Sequence, residues 1–125
     1  MMTRGKRLAG NTAKRAQFNA LFGELTIYAT KKNIRFIHDR YGYYRTPETQ
    51  RELYDLKRSS MDGVKRVSKH QVHLARDIYI INEKNQIVFD VEPYAVLGEF
   101  WEALGGKWGG NFQGSIKADI FHFEL

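Results

Sequence analysis

At 125 residues and 42% hydrophobic content, the chain is long enough for one domain with a substantial core but short for two. It contains no cysteine, which excludes disulfides, iron–sulfur clusters, thiolate zinc sites and cysteine nucleophiles, so any metal must be held by His, Asp or Glu. The formal charge of +6 suits an anionic partner such as nucleic acid, a membrane surface or an anionic cell-wall polymer.

The N-terminal segment is basic but leads into no apolar run of the kind that follows in a secretory signal or a membrane anchor. No later window approaches the roughly 18 apolar residues of a transmembrane helix. We therefore expect a chain made in the cytoplasm, with residues 1–15 as a basic, flexible N-terminus and residues 16–125 as one domain. The basic segments are not interleaved with aromatic residues and no nucleic-acid motif is present, so no specific nucleic-acid partner is predicted.

Three helices are predicted from local patterns. Apolar residues at helical spacing indicate a first helix over residues 16–32 and a third over residues 94–104, which Pro93 opens. Thr46 followed by Pro47 is typical of a helix start, with threonine as the N-cap and proline as the first helical residue, and predicts a second helix between the other two.

The remaining elements are short strands and loops. β-prone runs predict strands over residues 34–38, 75–82 and 86–90 and at the C-terminus, the second and third forming a hairpin. Residues 57–69 are polar and lack periodicity, which predicts a surface loop. Four glycines in six positions around Trp108 indicate a backbone held close to another part of the chain. Helices and strands in this mixed order predict the α+β class.

Histidines and acids suggest a metal site. The stretch SKHQVHLARD contains His70, His73 and Asp77, but such a pair of ligands is weak evidence without a third. In the terminal run DIFHFEL, strand alternation places His122 and Glu124 on one face and apolar side chains on the other. A zinc ion with three protein ligands keeps a position for water, whose pKa it lowers to about 7. Polar residues at strand ends and in loops explain the same pattern without a metal.

Three separated segments, YRTPETQ, SKHQVHLARD and KWGGNFQGSIKADIFHFE, resemble in order and spacing the small zinc-dependent peptidoglycan peptidases. That family includes D-alanyl-D-alanine carboxypeptidases and dipeptidases of the vancomycin-resistance type, and phage endolysins that cut the L-alanyl-D-glutamate bond. The matches to its central motif, Ser-x-His-x-x-Gly-x-Ala-x-Asp, and to its final motif, an acid followed by x-x-His, are Ser68, His70, Ala75, Asp77, Asp119 and His122.

The resemblance implies a small domain of the Hedgehog and D-Ala-D-Ala-peptidase type, with about three helices packed on an antiparallel sheet. It implies one Zn²⁺ per chain, bound by His70, Asp77 and His122. Asp119 would be the general base of a hydrolase that attacks peptidoglycan stem peptides.

Further roles follow from the same resemblance. Arg45 would polarise the scissile carbonyl and bind the substrate, although it could instead simply pair with Glu48. Ser68 would hydrogen-bond the substrate or support the loop that carries His70. Gln50 and Trp108 are expected to be structural supports.

The chain departs from the family pattern at one position, and a second feature leaves the base open. His73 stands where the motif has glycine, so it could crowd the cleft or contact the metal. Asp119 and His122 are separated by an odd number of positions, so an unbroken strand would point them to opposite faces. A bulge or turn near Asp119 would resolve this, and otherwise Glu124 becomes the rival base.

The resulting prediction is an L-alanyl-D-glutamate endopeptidase, a monomeric phage or prophage endolysin consisting of a catalytic domain alone. It would be made in the host cytoplasm without a signal peptide and act on the cell wall after release, with its positive charge attracting anionic wall polymer. The alternatives are a D-alanyl-D-alanine carboxypeptidase, a catalytically silent wall-binding module on the same fold and, last, a basic nucleic-acid-binding protein.

Overall fold

The helices and strands follow one another in a mixed order along the chain. The structure, a computed structural model, describes residues 4–39, 44–56, 68–113 and 118–125. The helices among these residues are α1 (Arg4–Lys31), α2 (Pro47–Asp55) and α3 (Val91–Ala103), and the strands are β1 (Arg35–His38), β2 (Ala75–Ile81), β3 (Lys107–Trp108) and β4 (His122–Glu124). Short 3-10 helices are formed by Lys69–Val72 and Gly109–Asn111.

The four strands form one antiparallel sheet in the order β1-β2-β4-β3. Asp77 of β2 lies opposite His122 of β4, and Trp108 of β3 lies opposite Phe123. Because side chains alternate along a strand, the sheet has two distinct faces. We call them the core face, with Ile78, Ile80, Trp108 and Phe123, and the polar face, with Asp77, His122 and Glu124.

Helices α1 and α3 cover the core face and form the main hydrophobic core with it. Trp101 of α3 is fully buried and makes edge-on contacts with Phe18 of α1 at 5.7 Å and with Phe123 of β4 at 6.3 Å between ring centroids. Its indole nitrogen donates to the carbonyl oxygen of Glu124 at 2.9 Å. Each large apolar side chain buried here stabilises the fold by about 1.5–3 kcal/mol, so the strands that carry the polar face are firmly anchored. The predicted α+β class, with three helices and an antiparallel sheet, is confirmed.

The first helix is longer than predicted, because it begins at Arg4 instead of residue 16. The apolar stripe marks only the part of a helix that is buried, whereas Arg, Lys, Leu and Ala upstream favour helix without needing burial. The Asn11 side chain also donates to the carbonyl of Val72 at 2.7 Å, which ties this part of α1 to the rest of the domain. The helix shows no break at residue 15, and the flexibility of residues 1–15 stays a prediction.

The second helix begins as predicted. Pro47 is its first residue, and the Thr46 hydroxyl accepts a hydrogen bond from the backbone N–H of Thr49 at 3.1 Å. Helix α3 begins at Val91, two residues before Pro93. Proline is compatible with this place in the first turn because the N–H groups there have no helical partner.

The predicted hairpin is only partly formed. The Asn82 side chain organises the turn by accepting from the backbone of Lys84 and Gln86, but residues 86–90 contribute a single bridge, between Ile87 and Ile81. The hydroxyl of Tyr94 interrupts the pairing, since it accepts from the Ile80 N–H at 2.8 Å and donates to the Val88 carbonyl at 2.7 Å. A buried side chain therefore replaces a direct bond between the two strands.

The predicted loop over residues 57–69 lies mostly outside the described residues. Among the helices that the structure does describe, none combines the length and the apolar character needed to cross a membrane.

Candidate metal centre

Three buried side chains converge on the polar face: His70, Asp77 and His122. Their potential ligand atoms all lie within 4.8 Å of one another. The Asp77 Oδ1 atom is at the centre of the group, 3.0 Å from His122 Nδ1 and 3.2 Å from His70 Nε2. The structure thus brings together the three residues that the sequence proposed as ligands.

Local structure explains why these side chains meet. The register of β2 and β4 places Asp77 directly opposite His122, so both project from the same face at the same height. His70 is in the 3-10 helix that precedes β2, and its N–H donates to the Ser68 hydroxyl at 3.2 Å. The Leu74 N–H closes the turn onto the Lys69 carbonyl at 2.9 Å. The three ligands therefore come from rigid backbone rather than from a free loop.

The donor set fits zinc. Two imidazole nitrogens and one carboxylate oxygen are ligands that zinc takes in catalytic sites, which leave a further position open. Zinc–ligand bonds of about 2.0–2.2 Å in a tetrahedron separate neighbouring ligand atoms by about 3.4 Å. The separations of 3.0 and 3.2 Å around Asp77 Oδ1 are close to this value. The His70 and His122 rings do not stack, since their centroids are 5.0 Å apart and their planes meet at 72°.

The cluster is strongly coupled in its charge. Burial disfavours the ionised form of Asp77, but hydrogen bonds from His122 and His70 outweigh it and hold the pKa of Asp77 below its usual range. Burial alone would lower the pKa of His122, whereas its bonds to Asp77 and Glu124 raise that pKa to about 9. In the metal-free protein, His122 is thus an imidazolium at neutral pH. A divalent metal ion that binds this ring must displace one of its protons.

Arg45 lies beside the cluster. Its Nη2 atom is 2.9 Å from Asp77 Oδ2, and its Nη1 donates to Gln50 Oε1 at 3.2 Å. The backbone N–H of Arg45 donates to the His70 carbonyl at 3.1 Å, which fixes the segment before α2 to the loop that carries the ligand. Gln50 is fully buried, as expected of a structural support. The pairing of Arg45 with Asp77 was not predicted, because it joins segments 32 positions apart that show no shared local pattern.

Asp119 is joined to His122 by a tight turn. The His122 N–H donates to the Asp119 carbonyl at 3.2 Å, and the Phe121 N–H donates to Asp119 Oδ1 at 3.1 Å. Strand β4 therefore starts only at His122, and the terminal strand is shorter than the sequence predicted. The turn removes the parity conflict between Asp119 and His122, which is one of the two outcomes that the sequence left open. Burial, followed by the charge of Asp77, raises the pKa of Asp119.

The glycine-rich segment holds this turn in place. The Gly109 carbonyl accepts from the Asp119 N–H at 2.8 Å, and the Trp108 indole N–H donates to the Ile120 carbonyl at 2.8 Å. A Cβ atom on Gly109 would stand 2.2 Å from the Asp119 carbonyl oxygen and 2.9 Å from the His122 Cβ. The close approach that the glycines predicted is thus an approach to the segment carrying the candidate base and the last ligand.

The conformation of His73 shows how the chain accommodates a side chain at the motif's glycine position. Its φ of 60° is in the left-handed region, where glycine is usual, and its ring stacks on Tyr44 with centroids 4.2 Å apart. Burial, and then the charge of Arg15, lower the pKa of His73. Within the part of the chain that the structure describes, the metal-binding cluster consists of His70, Asp77 and His122, and His73 lies outside it.

Glu124 has a contact that sequence reasoning missed. Its Oε1 atom is 2.8 Å from His122 Nε2, the ring nitrogen that does not face Asp77. The sequence placed Glu124 correctly on the face of His122, but treated it only as a rival base. The i, i+2 spacing on one strand was the available signal, since such residues are neighbours on one face.

The fold is that of solved peptidoglycan peptidases. No protein-family model and no curated protein matches the chain. Among solved structures, the L-Ala D-Glu endopeptidase ChiX of Serratia marcescens is 20% identical, with a TM-score of 0.56 over 74% of this chain and 67% of that one.

Two further solved structures share the fold. A mutant of the D,D-pentapeptidase VanY from a VanB-type vancomycin resistance cassette, solved with Zn(II), is 19% identical with a TM-score of 0.62, over 87% of this chain and 70% of that one. The LD-carboxypeptidase LdcB is 19% identical with a TM-score of 0.59, over 86% of this chain and 62% of that one. The fold that the sequence resemblance implied is confirmed.

Proposed function

We propose that the protein is a zinc metallopeptidase that hydrolyses peptidoglycan stem peptides, with the L-alanyl-D-glutamate bond as its target. The observation that carries this proposal is the buried His70, Asp77 and His122 cluster with Arg45 directly beside it. The similar structures support it, because they include an L-Ala D-Glu endopeptidase and a peptidase solved with Zn(II).

One zinc ion per chain would be held by His70 Nε2, His122 Nδ1 and an oxygen of Asp77. A bound zinc ion would polarise the scissile carbonyl and make water acidic enough to attack at neutral pH. The buried ligands, fixed by the β2–β4 register, would keep the reacting atoms in one place and exclude bulk water from them.

Asp119 would move the proton. One of its carboxylate oxygens, Oδ1, accepts from the Phe121 N–H, which helps to orient the carboxylate. The other oxygen, Oδ2, would take a proton from the attacking water and give it to the leaving amine. A raised pKa suits this task, because the acid form must hold the proton long enough to pass it on.

Arg45 would bind the substrate and stabilise the developing oxyanion. Its guanidinium is held on one side by Asp77 and on the other by Gln50, so it is positioned before the substrate arrives. Ser68, which supports the His70 loop through its hydroxyl, is proposed to bind substrate as well.

The second candidate is a carboxypeptidase acting on the end of the stem peptide. It is favoured by the D,D-pentapeptidase and LD-carboxypeptidase structures that share the fold. An enzyme of this kind must recognise a terminal carboxylate, and the cationic Arg45 beside the cluster is a side chain able to do so. For the endopeptidase we propose a monomeric phage or prophage endolysin that is made in a host cytoplasm and acts on the wall after release.

The test is digestion of purified peptidoglycan, with release of amino groups measured before and after a chelator and after zinc is added back. We expect release that the chelator abolishes and zinc restores, and mass analysis of the fragments should show a new D-glutamate amine. Free D-alanine would instead assign the carboxypeptidase. Absence of release from a protein with zinc bound would refute the peptidase and favour the silent wall-binding module.

Asp119→Asn tests the proposed base in the same assay. The variant should retain zinc and lose activity by about 10²- to 10⁴-fold, the usual contribution of a general base. Asp90→Asn is the matched control, since Asp90 is exposed at the start of α3 and makes no side-chain capping bond. Activity of Asp119→Asn within a fewfold of the control would remove Asp119 from the mechanism.

A further inference from the structure

We propose that Glu124 is a positioning residue for the metal site: its carboxylate holds the His122 ring so that Nδ1, and not Nε2, faces the metal. The inference rests on the proposed zinc site and deepens it. The observation is the 2.8 Å contact between Glu124 Oε1 and His122 Nε2, on the opposite edge of the ring from the 3.0 Å contact between Nδ1 and Asp77.

The sheet makes this contact specific. His122 and Glu124 are two positions apart on β4, so both side chains project from the polar face. Glu124 lies opposite Ala75 of β2, whose small, buried side chain leaves room for the carboxylate. The imidazole is therefore held between Asp77 across the strands and Glu124 along its own strand.

Glu124 is itself held in place. Its backbone carbonyl accepts the indole N–H of the fully buried Trp101 at 2.9 Å, which anchors β4 to α3 at this residue. Its side chain is only 14% exposed, so the carboxylate is largely shielded from water. A shielded carboxylate on an anchored strand keeps its acceptor directed at the ring at little entropic cost.

The contact between Glu124 and His122 determines which ring nitrogen can bind a metal. A neutral imidazole carries one proton, and the nitrogen that keeps it cannot bind a metal. A carboxylate at Nε2 retains the proton there, so Nδ1 presents its lone pair to the metal and becomes a stronger donor. Partners of this kind outside the ligand set change metal affinity by about 10- to 100-fold.

This role separates Glu124 from the base. Its Oε1 is engaged with the ring edge that faces away from Asp77, whereas Asp119 precedes β4 and is joined to His122 by a turn, with its Oδ1 on the Phe121 N–H. The two acids on this segment would thus do different work, Asp119 on the substrate and Glu124 on the ligand.

The experiment compares zinc affinity in Glu124→Ala, Glu124→Gln and the wild-type chain, by competition with a chromophoric chelator and independently of any substrate. We expect Glu124→Ala to bind zinc about 10- to 100-fold more weakly. Glu124→Gln keeps an uncharged acceptor and should lose clearly less. Glu99→Gln, on the exposed side of α3, removes a similar charge away from the site and should bind as the wild type does.

A second measurement reads the ring directly. In the zinc-loaded wild type, ¹⁵N NMR of the imidazoles should show His122 Nε2 carrying a slowly exchanging proton, and Glu124→Ala should exchange that proton much faster. A purely structural role of Glu124 would lower the unfolding midpoint of the metal-free protein but leave both zinc affinity and this proton unchanged.

Either of two results would overturn the inference: zinc affinity of Glu124→Ala within twofold of the wild type, or an equal loss in Glu124→Ala and Glu124→Gln. These outcomes are distinct from failure of the proposed function. If the wild type binds zinc but cleaves no peptidoglycan, the affinity comparison still decides the role of Glu124. If Glu124→Gln keeps zinc but loses all turnover, Glu124 is the general base instead of a positioning residue.

Discussion

The core face and the polar face of the sheet are built from the same strands but depend on different interactions. On the core face, Ile78 and Phe123 pack under two helices, and their contribution to stability depends on how completely the side chains fill the core. On the polar face, Asp77 and His122 depend on direction and charge. Because side chains alternate along β2 and β4, packing of the core face fixes the strand backbone. The backbone in turn orients the side chains of the polar face. Damage to the core should therefore reach the metal site, while loss of a ligand should leave the core intact.

The largest expected effect on stability comes from Phe123→Ala. Phe123 is fully buried and is flanked in sequence by His122 and Glu124, so its ring fixes the strand that carries both. The substitution should lower the free energy of unfolding by about 3–5 kcal/mol, measured by urea denaturation with a chelator present. Zinc affinity should fall as well, because the β4 backbone loses its anchor.

Ile27→Ala is the control for Phe123→Ala. Ile27 is on α1 and 59% exposed, so its truncation should change the free energy of unfolding by less than about 0.5 kcal/mol. Weakened zinc binding in this variant, or unchanged zinc binding in Phe123→Ala, would break the link between the two faces.

A smaller effect is expected at the boundary between the faces, at Gly109. In Gly109→Ala the new Cβ would meet the Asp119 carbonyl oxygen at 2.2 Å, so the turn must shift, at about 1–3 kcal/mol of stability. Activity should fall by more than stability alone explains, since the turn carries Asp119. Stability is read by thermal unfolding and activity by peptidoglycan digestion.

Gly23→Ala provides the matched comparison for Gly109→Ala. Gly23 lies in α1 and a Cβ there meets nothing within 4 Å, so alanine should stabilise the helix by up to about 1 kcal/mol. Activity should stay unchanged in this variant. Equal behaviour of the two glycine variants would mean that close approach at Gly109 does not matter.

The mildest perturbation is a change of pH, because it alters no residue, and its effect on zinc affinity concerns the polar face alone. Below a pKa of about 9, metal-free His122 is protonated, so zinc binding must release that proton. Affinity should thus rise about tenfold for each pH unit from 7 towards 9 and level off above it. Asp77 adds no proton in this range, because its pKa is lowered. Chelator competition at fixed ionic strength measures this, and a flat profile from pH 7 to 9 would contradict the charge state assigned to His122.

Local chemistry accounts for what the sequence predicted well. Thr46 and Pro47 start α2 through a cap and a preset φ, which need no distant partner. Alternation in the last residues placed His122 and Glu124 on one face, and this holds because β4 is regular there. The ligand set came from the spacing of motifs that resemble a family, not from any pattern in the composition.

What the sequence did not predict depends on contacts between distant segments. The Tyr94 hydroxyl interrupts the expected hairpin only because α3 lies against β2. Arg45 meets Asp77 through tertiary structure, and the bond from Glu124 to His122 depends on a side-chain rotamer that no periodicity specifies. The turn at Asp119 was one of two alternatives that the sequence left open, and the Gly109 carbonyl, which accepts from the Asp119 N–H, helps to form it.

The proposed function depends above all on one zinc ion held on the polar face by His70, Asp77 and His122. The most direct test is metal analysis of the dialysed protein together with calorimetric titration of the metal-free chain with zinc, for the wild type and for His122→Ala. We expect one zinc per wild-type chain and affinity at least about a hundredfold weaker in the variant, with the unfolding transition of the metal-free protein preserved. A wild-type chain that binds no zinc, or a His122→Ala variant that binds it equally well, would contradict a zinc site formed by these three residues.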